Sequence, residues 1–286
     1  MTTTRSLAIV TGASGFAGFA IVQALAASGI PVAAVSRRTV ESSHPLIRTI
    51  AVQSYDELSD MPELLGQARA VFHLADRADR KGYDEANRSE AAGLVSRLAA
   101  ACVRHDIARF ILASSIYADR PDRSHYGWSK RHAEAALLDV SSRPDMAIVL
   151  RFPPLYGQDG RGMFAMLARH IRSGHPLPLA WATGARRFLG IANLCDLARH
   201  CVTATSLRSG VYAPADPDPI SLRTLALQIG AAVGRPARLI AVPFVDRLSS
   251  GTLIDPVQAA ENQTAIRQGL NWQPKAGVGE QLDYLS

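Results

Sequence analysis

Two residues near the middle of the chain, Tyr126 and Lys130, are spaced for proton transfer. Four residues apart on a helix, they share one face, so that an ammonium group stands close to a phenol. A neighbouring cation favours the phenolate form, which lets a tyrosine act as proton donor and acceptor near neutral pH. In roughly one chain in fifteen of this composition, a Tyr-x-x-x-Lys pair would arise by chance. The assignment of Tyr126 and Lys130 to a site therefore depends on where the pair lies in the chain.

A glycine-rich segment follows the first apolar run of the chain and opens a helical pattern. Its glycines are Gly12, Gly15 and Gly18. In such a unit one glycine permits a tight turn, another lets a pyrophosphate approach the backbone, and the last lets helix pack on strand. The helix N-terminus then offers N–H groups and the positive end of its dipole to phosphate. The pattern predicts a dinucleotide site at these glycines and Phe16.

The end of the second predicted strand reads Ser36-Arg37-Arg38. A cofactor without a 2′-phosphate would be met here by a carboxylate, about twenty residues after the glycines, whereas arginine accommodates the 2′-phosphate. No acidic residue occurs until Glu41. The segment predicts NADP(H) in preference to NAD(H); the alternative is that both arginines are solvated surface residues.

Short apolar runs alternate with helical patterns through the first half of the chain. This alternation predicts an α/β fold with a doubly wound parallel sheet (Rossmann), right-handed crossovers and helices on both faces. Parallel strands buried on both faces are continuous apolar runs, as these are. The predicted strands are 7–10, 32–35, 48–52, 70–74, 110–113 and 147–150, and the predicted helices are about 15–27, 84–104 and 126–140.

The composition changes after residue 150, where eleven of the 16 prolines occur. This change predicts a smaller, looped C-terminal substrate lobe, interleaved with the first domain and placed at the carboxyl ends of the strands, where ligands bind in open α/β sheets. The predicted dinucleotide-binding domain is 1–150 plus roughly 188–206. The predicted substrate lobe is 151–187 and 207–286.

Composition narrows the class of protein. Hydrophobic residues make up 48% and charged residues 20%, and the net charge of +6 is carried by scattered arginines without a basic run, which argues against nucleic acid. No apolar run approaches the ~20 residues of a membrane span, although the N-terminus imitates a secretory signal in part. The three cysteines have neither metal-site nor disulfide-framework spacing. We expect a cytoplasmic protein without a metal site.

The glycine turn together with Tyr126 and Lys130 resembles the short-chain dehydrogenase/reductase superfamily. The resemblance implies that Lys130 binds the nicotinamide ribose and that Ser115, at the end of the fifth strand, holds the substrate oxygen. Ser114 faces the opposite side of that strand and is the alternative contact to substrate. Leu74 and Ala75, after the fourth strand, are implied to pack against adenine and ribose.

A narrower resemblance begins with the segment Arg-Phe-Pro-Pro-Leu-Tyr-Gly at 151–157 and continues through His-Pro-Leu-Pro-Leu at 175–179. Both segments are similar to the extended branch of the superfamily, the NAD-dependent epimerase/dehydratase family. The resemblance implies a homodimer, a nucleotide-sugar substrate and a diphosphate-binding role for Arg186. Ile116 and Tyr117 follow Ser115, where sugar-nucleotide dehydratases carry two carboxylates, so dehydration is not expected.

We therefore predict an enzyme that reduces a keto group with NADPH, the substrate being a nucleotide-diphosphate 4-ketosugar. Two enzymatic alternatives are a nucleotide-sugar 4-epimerase and a reductase of a small ketone or aldehyde. A non-enzymatic alternative is an NADP-sensing regulator on the same fold.

Overall fold

The computed structural model describes residues 5–75, 85–141, 143–160, 162–242 and 256–286. The strands are β1 Leu7–Thr11, β2 Val32–Ser36, β3 Ile47–Ala51, β4 Ala68–His73, β5 Arg109–Ser115, β6 Ala147–Phe152, β7 Leu155–Tyr156, β8 Ala185–Arg186, β9 Leu189–Gly190, β10 Gly210–Tyr212 and β11 Ile220–Ser221. The α-helices are α1 Phe16–Ala27, α2 Pro62–Gln67, α3 Glu85–Arg104, α4 His125–Val140, α5 Met163–Arg172, α6 Ile191–Thr203, α7 Leu222–Ala232 and α8 Pro256–Leu270. None of the helices in the described ranges is long and apolar enough to cross a membrane.

A seven-stranded sheet in the order β10-β6-β5-β4-β1-β2-β3 is the centre of the fold. Every neighbouring pair in it is parallel. The chain moves outward from β1 through β2 to β3, and then returns to the other side of β1 with β4. The predicted doubly wound parallel sheet is thereby confirmed, and the six predicted strands match β1–β6 to within about two residues at each end.

The chain divides into two compact units. The first contains Met1–Phe152, Cys195–Ala213 and Arg267–Trp272, and the second contains Pro153–Leu194, Pro214–Ile266 and Gln273–Ser286. The segment that returns to the first unit thus begins at Cys195 and ends at Ala213, later at both ends than the predicted 188–206. Arg267–Trp272 is a third piece of the first unit that the predicted boundaries did not contain.

The core of the first unit lies between the sheet and the helices α2, α3 and α4. Ile9, Val71, Phe110 and Val149 come from four adjacent strands, and Leu98 from α3; all are buried. Complete burial of each such side chain contributes about 1.5–3 kcal/mol. The residues on either side of these four strand positions are buried as well. The central strands therefore need apolar side chains on both faces, which explains the continuous apolar runs in the sequence.

The second unit has its own core, in which three aromatic rings pack among aliphatic side chains. The ring of Tyr156 stacks on Phe164 with centroids 4.2 Å apart, and Phe188 meets Phe164 edge-on at 5.2 Å.

Buried Asp216 accepts hydrogen bonds from three groups of the second unit. The hydroxyl of Tyr156 donates to one carboxylate oxygen of Asp216 at 2.5 Å. The other oxygen of Asp216 accepts from the backbone N–H of Gly190 at 3.0 Å and from the side-chain amide of Asn193 at 2.7 Å.

Stability of the second unit should depend on the protonation of Asp216. Burial raises the pKa of this carboxyl group above its ordinary 3.8, against the lowering effect of its hydrogen bonds. A group whose pKa is raised by folding stabilises the fold below its unfolded pKa, and that stabilisation is lost as pH rises through the folded pKa. We expect Asp216→Asn, which has no such titration, to gain stability relative to the wild type as pH rises from about 4 towards neutrality.

Urea unfolding of both proteins across this pH range measures the difference. Asp218→Asn, at an exposed position two residues away, is the matched control and should follow the wild type. A difference between Asp216→Asn and wild type that stayed constant with pH would contradict the expectation.

Candidate active site

Four adjacent strands of the first unit end at one edge of the sheet. Because β2, β1, β4 and β5 are parallel neighbours, the residues that follow them converge at their carboxyl ends. The chain leaves β1 and β4 in opposite directions, so the two strands flank the crevice in which open α/β sheets bind ligands. This edge carries the glycine turn, the two arginines after β2, and the serines at the end of β5.

The glycine turn has the geometry that a dinucleotide site requires. Gly12 has a φ of +71°, and a Cβ there would lie 2.8 Å from the backbone nitrogen of Ala75 and 2.9 Å from the carbonyl carbon of Leu74. A Cβ on Gly18 would lie 2.3 Å from the carbonyl oxygen of Gly12. Helix α1 begins after Gly15 without a side-chain cap. Its first N–H groups therefore remain available to a pyrophosphate, so the turn fits the cofactor.

The end of β2 presents two arginines beside an aromatic ring. Ser36 is buried and donates to the hydroxyl oxygen of Ser14 at 2.7 Å, which ties β2 to the glycine turn. Arg37 and Arg38 are exposed, and the guanidinium carbon of Arg37 lies 5.8 Å from the ring centroid of Tyr55. This cation–π contact holds the guanidinium of Arg37 beside Tyr55, and the role of both arginines in binding a 2′-phosphate stays a prediction.

A cavity of about 310 Å³ opens between the ends of these strands and helices α3 and α4. Arg37, Tyr55, His73, Ala75 and Lys130 are among its lining residues. His73 is buried, and its Nδ1 lies 2.9 Å from the hydroxyl oxygen of Thr11, as expected of a structural histidine. The cavity thus brings together Arg37, Ala75 and Lys130, three of the residues that the sequence assigns to the cofactor.

Tyr126 and Lys130 lie together on the first turns of α4, as their spacing predicts. The hydroxyl of Ser124 caps this helix by accepting from the N–H of Gly127 at 3.0 Å. Lys130 is only 9% exposed, and its Nζ lies 5.8 Å from the centre of the Tyr126 ring. The same Nζ donates to the carbonyl oxygen of Ala113 on β5 at 2.7 Å.

Ser115 ends β5 two residues after Ala113, whose carbonyl oxygen accepts from Lys130. Its hydroxyl oxygen accepts from the N–H of Tyr117 at 3.4 Å, which starts a 3-10 turn over Ile116–Asp119. The structure therefore gathers Ser115, Tyr126 and Lys130 into one region of the first unit. Such a group can hold a carbonyl oxygen, transfer a proton and bind a ribose.

Arg186 belongs to the second unit, on β8. Its strand pairs antiparallel with β11, and its side chain is 1% exposed. One guanidinium nitrogen donates to the carbonyl oxygen of Gly184 at 2.7 Å. Arg186 is therefore a buried strand residue and not a surface arginine in a loop. Its assignment to a diphosphate stays a prediction.

The family of the chain follows from comparison with known proteins. Residues 8–213 match the model of the NAD dependent epimerase/dehydratase family. The chain belongs to this family. It is accordingly an NAD(P)-dependent enzyme of the extended short-chain dehydrogenase/reductase type, as its glycine turn and Tyr126–Lys130 pair indicate.

Individual relatives are similar over most of their length. A ceramide reductase of Caulobacter vibrioides is 28% identical, over 93% of this chain and 82% of that protein. A UDP-glucose 4-epimerase of Vibrio cholerae is 26% identical, over 95% of this chain and 92% of the relative. The crystal structure of UDP-N-acetylglucosamine 4-epimerase from Bacillus cereus superposes with a TM-score of 0.76 at 20% identity, covering 98% of this chain and 97% of that one.

Ser114 has a partner that the sequence did not indicate. This buried hydroxyl donates to the carboxylate of Glu134, one turn beyond Lys130 on α4. The geometry thus gives Ser114 a structural contact within the first unit, and the structure adds no support to its assignment as a substrate contact. Glu134 stands four residues after Lys130, so its place on the same helix face was a signal available in the sequence.

Other reactive groups offer no second centre in the described parts of the chain. No group of three or more metal-binding side chains occurs there. All three cysteines are free, and burial raises the pKa of Cys195 to about 11 and those of Cys102 and Cys201 to about 12. Protonated thiols are poor nucleophiles, so this family member has no cysteine suited to nucleophilic catalysis at neutral pH.

Proposed function

We propose that this protein is an NADP(H)-dependent oxidoreductase that reduces a keto group. The observation that carries the proposal is the placement of Ser115, Tyr126 and Lys130 in one region of the first unit, at the carboxyl end of the sheet that also bears the glycine turn. Bound NADPH would supply the hydride that reduces the carbonyl carbon. The residues around it have to hold the ketone, donate a proton to its oxygen and bind the cofactor.

Each side chain of the group has a role that matches its surroundings. The Ser115 hydroxyl donates a hydrogen bond to the ketone oxygen and so fixes the carbonyl. The phenol of Tyr126 gives its proton to the same oxygen as negative charge develops on it. Lys130, held against β5 by its bond to Ala113, binds the ribose and stabilises the phenolate that remains.

Reduction is preferred over epimerisation because of the expected cofactor. An epimerase returns its hydride to the substrate and needs no reducing pool, whereas the two arginines after β2 favour the phosphorylated cofactor. The similarity to a ceramide reductase supports reduction, and the similarity to a UDP-glucose 4-epimerase keeps epimerisation as the alternative. Consumption of NADPH with a panel of ketones distinguishes reduction from epimerisation and from an NADP-sensing regulator, neither of which consumes NADPH.

The proposed substrate is a nucleotide-diphosphate 4-ketosugar. Two of the compared proteins are named as epimerases of UDP-sugars, and Arg186 offers a buried guanidinium whose fork matches a diphosphate. The similarity to the ceramide reductase favours a second candidate, a ketone with apolar substituents.

Arg186→Ala should weaken UDP binding about tenfold, the effect of one charge-assisted hydrogen bond. The measurement is calorimetric titration with UDP in the presence of NADP, with the melting temperature of each variant recorded first. Arg186→Lys keeps the positive charge but lacks the planar guanidinium that forms two parallel hydrogen bonds, so this variant should bind UDP with intermediate affinity. Arg223→Ala, at an exposed position of the second unit, is the control.

Failure of every nucleoside diphosphate to bind the wild type would exclude the sugar-nucleotide substrate and leave the apolar ketone. Equal UDP affinity in Arg186→Ala and wild type would exclude only the role of Arg186.

Two further properties belong to the proposal. The family resemblance supports a homodimer, which sedimentation equilibrium tests directly. Three free cysteines are suited to a reducing compartment, and a cytoplasmic location is proposed on that ground and checked by cell fractionation.

A further inference from the structure

In the first unit, Glu134, Arg151 and Asp119 form an ionic network that joins the elements next to the proposed catalytic residues. The carboxylate of Glu134 on α4 is 1% exposed and accepts two bonds from Arg151 at the end of β6, Nε at 2.8 Å and Nη2 at 2.5 Å. It also accepts from the hydroxyl of Ser114, the neighbour of Ser115 on β5. One carboxylate therefore joins the helix of Tyr126 and Lys130 to two strands of the sheet.

The remaining nitrogen of the Arg151 guanidinium forms a hydrogen bond with a second carboxylate. Its Nη1 donates to Oδ1 of Asp119 at 2.5 Å. Burial lowers the pKa of Arg151, but its bonds to Glu134 and Asp119 and their negative charges outweigh that effect, and the pKa is raised. The guanidinium thus stays charged and holds both acids in fixed positions.

Asp119 is the last residue of the 3-10 turn Ile116–Asp119, which follows Ser115 directly. This turn also bears Tyr117, whose ring meets the ring of Tyr126 edge-on, with centroids 6.1 Å apart and an interplanar angle of 70°. The backbone of the turn approaches α4 so closely that a Cβ on Gly127 would lie 2.4 Å from the carbonyl oxygen of Tyr117. A displacement of the turn would therefore reach both the Tyr126 ring and the start of α4.

We infer that Asp119 is a positioning residue for the reaction: through Arg151 it holds the Tyr117 turn, and through that turn it fixes the ring of Tyr126. This inference rests on the proposed function. Glu134 anchors the same guanidinium from the core, whereas the side chain of Asp119 is 37% exposed. Partly exposed ion pairs contribute little to stability, so Asp119 can be replaced without loss of the fold. Removing Glu134 would instead take two hydrogen bonds from the largely buried Arg151 guanidinium and leave the buried Ser114 hydroxyl without its acceptor.

Asp119→Asn weakens the contact to Arg151 with almost no change of volume. We expect kcat to fall about tenfold, because displacements of about an ångström at reacting groups cost up to about a hundredfold. The KM for the ketone, the Kd for NADP and the melting temperature should stay near the wild-type values. Asp119→Glu restores the charge and should recover most of the lost kcat.

Asp106→Asn is the matched control, because Asp106 also pairs with an arginine, Arg143, at 2.8 Å. Asp106 precedes β5 and Arg143 precedes β6, so the pair lies at the amino ends of these strands, and its loss should leave kcat unchanged. A wild-type kcat in Asp119→Asn would overturn the inference. So would equal losses in Asp119→Asn and Asp106→Asn, or a loss of kcat that accompanies a lower melting temperature and is not recovered by Asp119→Glu.

A second measurement separates this inference from the proposed function. In protein labelled with ¹³C at the tyrosine ring, the resonance of Tyr126, assigned through Tyr126→Phe, should shift in Asp119→Asn and remain in place in Asp106→Asn. If the wild type reduced no ketone, the proposed function would fail while this spectrum still decided whether Asp119 positions Tyr126. An unshifted Tyr126 resonance would overturn the positioning role even in an active enzyme.

Discussion

Replacement of Tyr126 by phenylalanine is expected to lower kcat for ketone reduction at least about a hundredfold, the usual size of a general acid–base contribution. The substitution removes only the hydroxyl group, which is the proton donor in the proposed reaction. The remaining ring keeps its edge-on contact with Tyr117 and its place beside the Lys130 ammonium. The melting temperature and the Kd for NADP should therefore change little, and steady-state kinetics with calorimetry checks all three.

Tyr212→Phe is the matched control for this variant. Tyr212 is a buried tyrosine of the first unit whose hydroxyl donates to the carbonyl oxygen of Arg208 at 2.7 Å. Its loss should lower the free energy of unfolding by about 1 kcal/mol and leave kcat intact. Near-normal turnover in Tyr126→Phe would remove the tyrosine from the reaction and, with it, the proposed mechanism.

The sheet of the first unit is the part that the sequence predicts best. Its central strands are buried on both faces, so that residues 7–10 of β1 and 147–150 of β6 form uninterrupted apolar runs, without the alternation that a half-buried strand shows. Gly12 and Gly18 were equally predictable, because the φ of one and the packing of the other admit no side chain. In both cases the conformation or burial of a short segment restricts the residue types at its positions, so that the sequence of the segment predicts the feature.

Short elements that depend on distant partners were not predicted. The strand β10 has three residues and is defined by its parallel pairing with β6, about sixty residues earlier in the chain. The helix α2 has six residues, too few for a helical pattern to stand out. In both, tertiary contacts rather than intrinsic propensity decide the conformation.

The candidate site shows the same division. The Tyr126–Lys130 pair is local, one turn of a helix, and its spacing identified it. The partners of Ser114 and Arg151 are not local: both converge on Glu134, 20 residues from the serine and 17 from the arginine along the chain. Strand alternation predicted that Ser114 and Ser115 face opposite sides, but only the fold shows that an acid occupies the side of Ser114.

The residues at the end of β2 were predicted from the sequence only in part. The type of the two arginines predicts a phosphate ligand, and Ser36 was assigned to the same site. In the structure Ser36 is buried and bonded to Ser14, so its side chain joins β2 to the glycine turn. The cation–π contact of Arg37 with Tyr55 could not be foreseen, since Tyr55 follows a different strand.

The double substitution Arg37→Asp with Arg38→Asp is expected to reverse the proposed cofactor preference. Each guanidinium would lose a charge-assisted bond to the 2′-phosphate, about 1.5–3 kcal/mol, so the ratio of NADP to NAD affinity should fall by tenfold to a hundredfold or more. The new carboxylates repel the phosphate and can accept from ribose hydroxyls instead. Calorimetric titration of wild type and variant with both dinucleotides measures the ratio.

The control is Arg48→Glu with Arg223→Glu, which makes the same change in net charge at two other exposed positions. This variant should leave the ratio of affinities unaltered, so it separates local recognition of the phosphate from the effect of the protein's overall charge. Equal affinity of the wild type for NAD(H) and NADP(H) would falsify the assignment of the arginines, and reduction would then lose its main advantage over epimerisation.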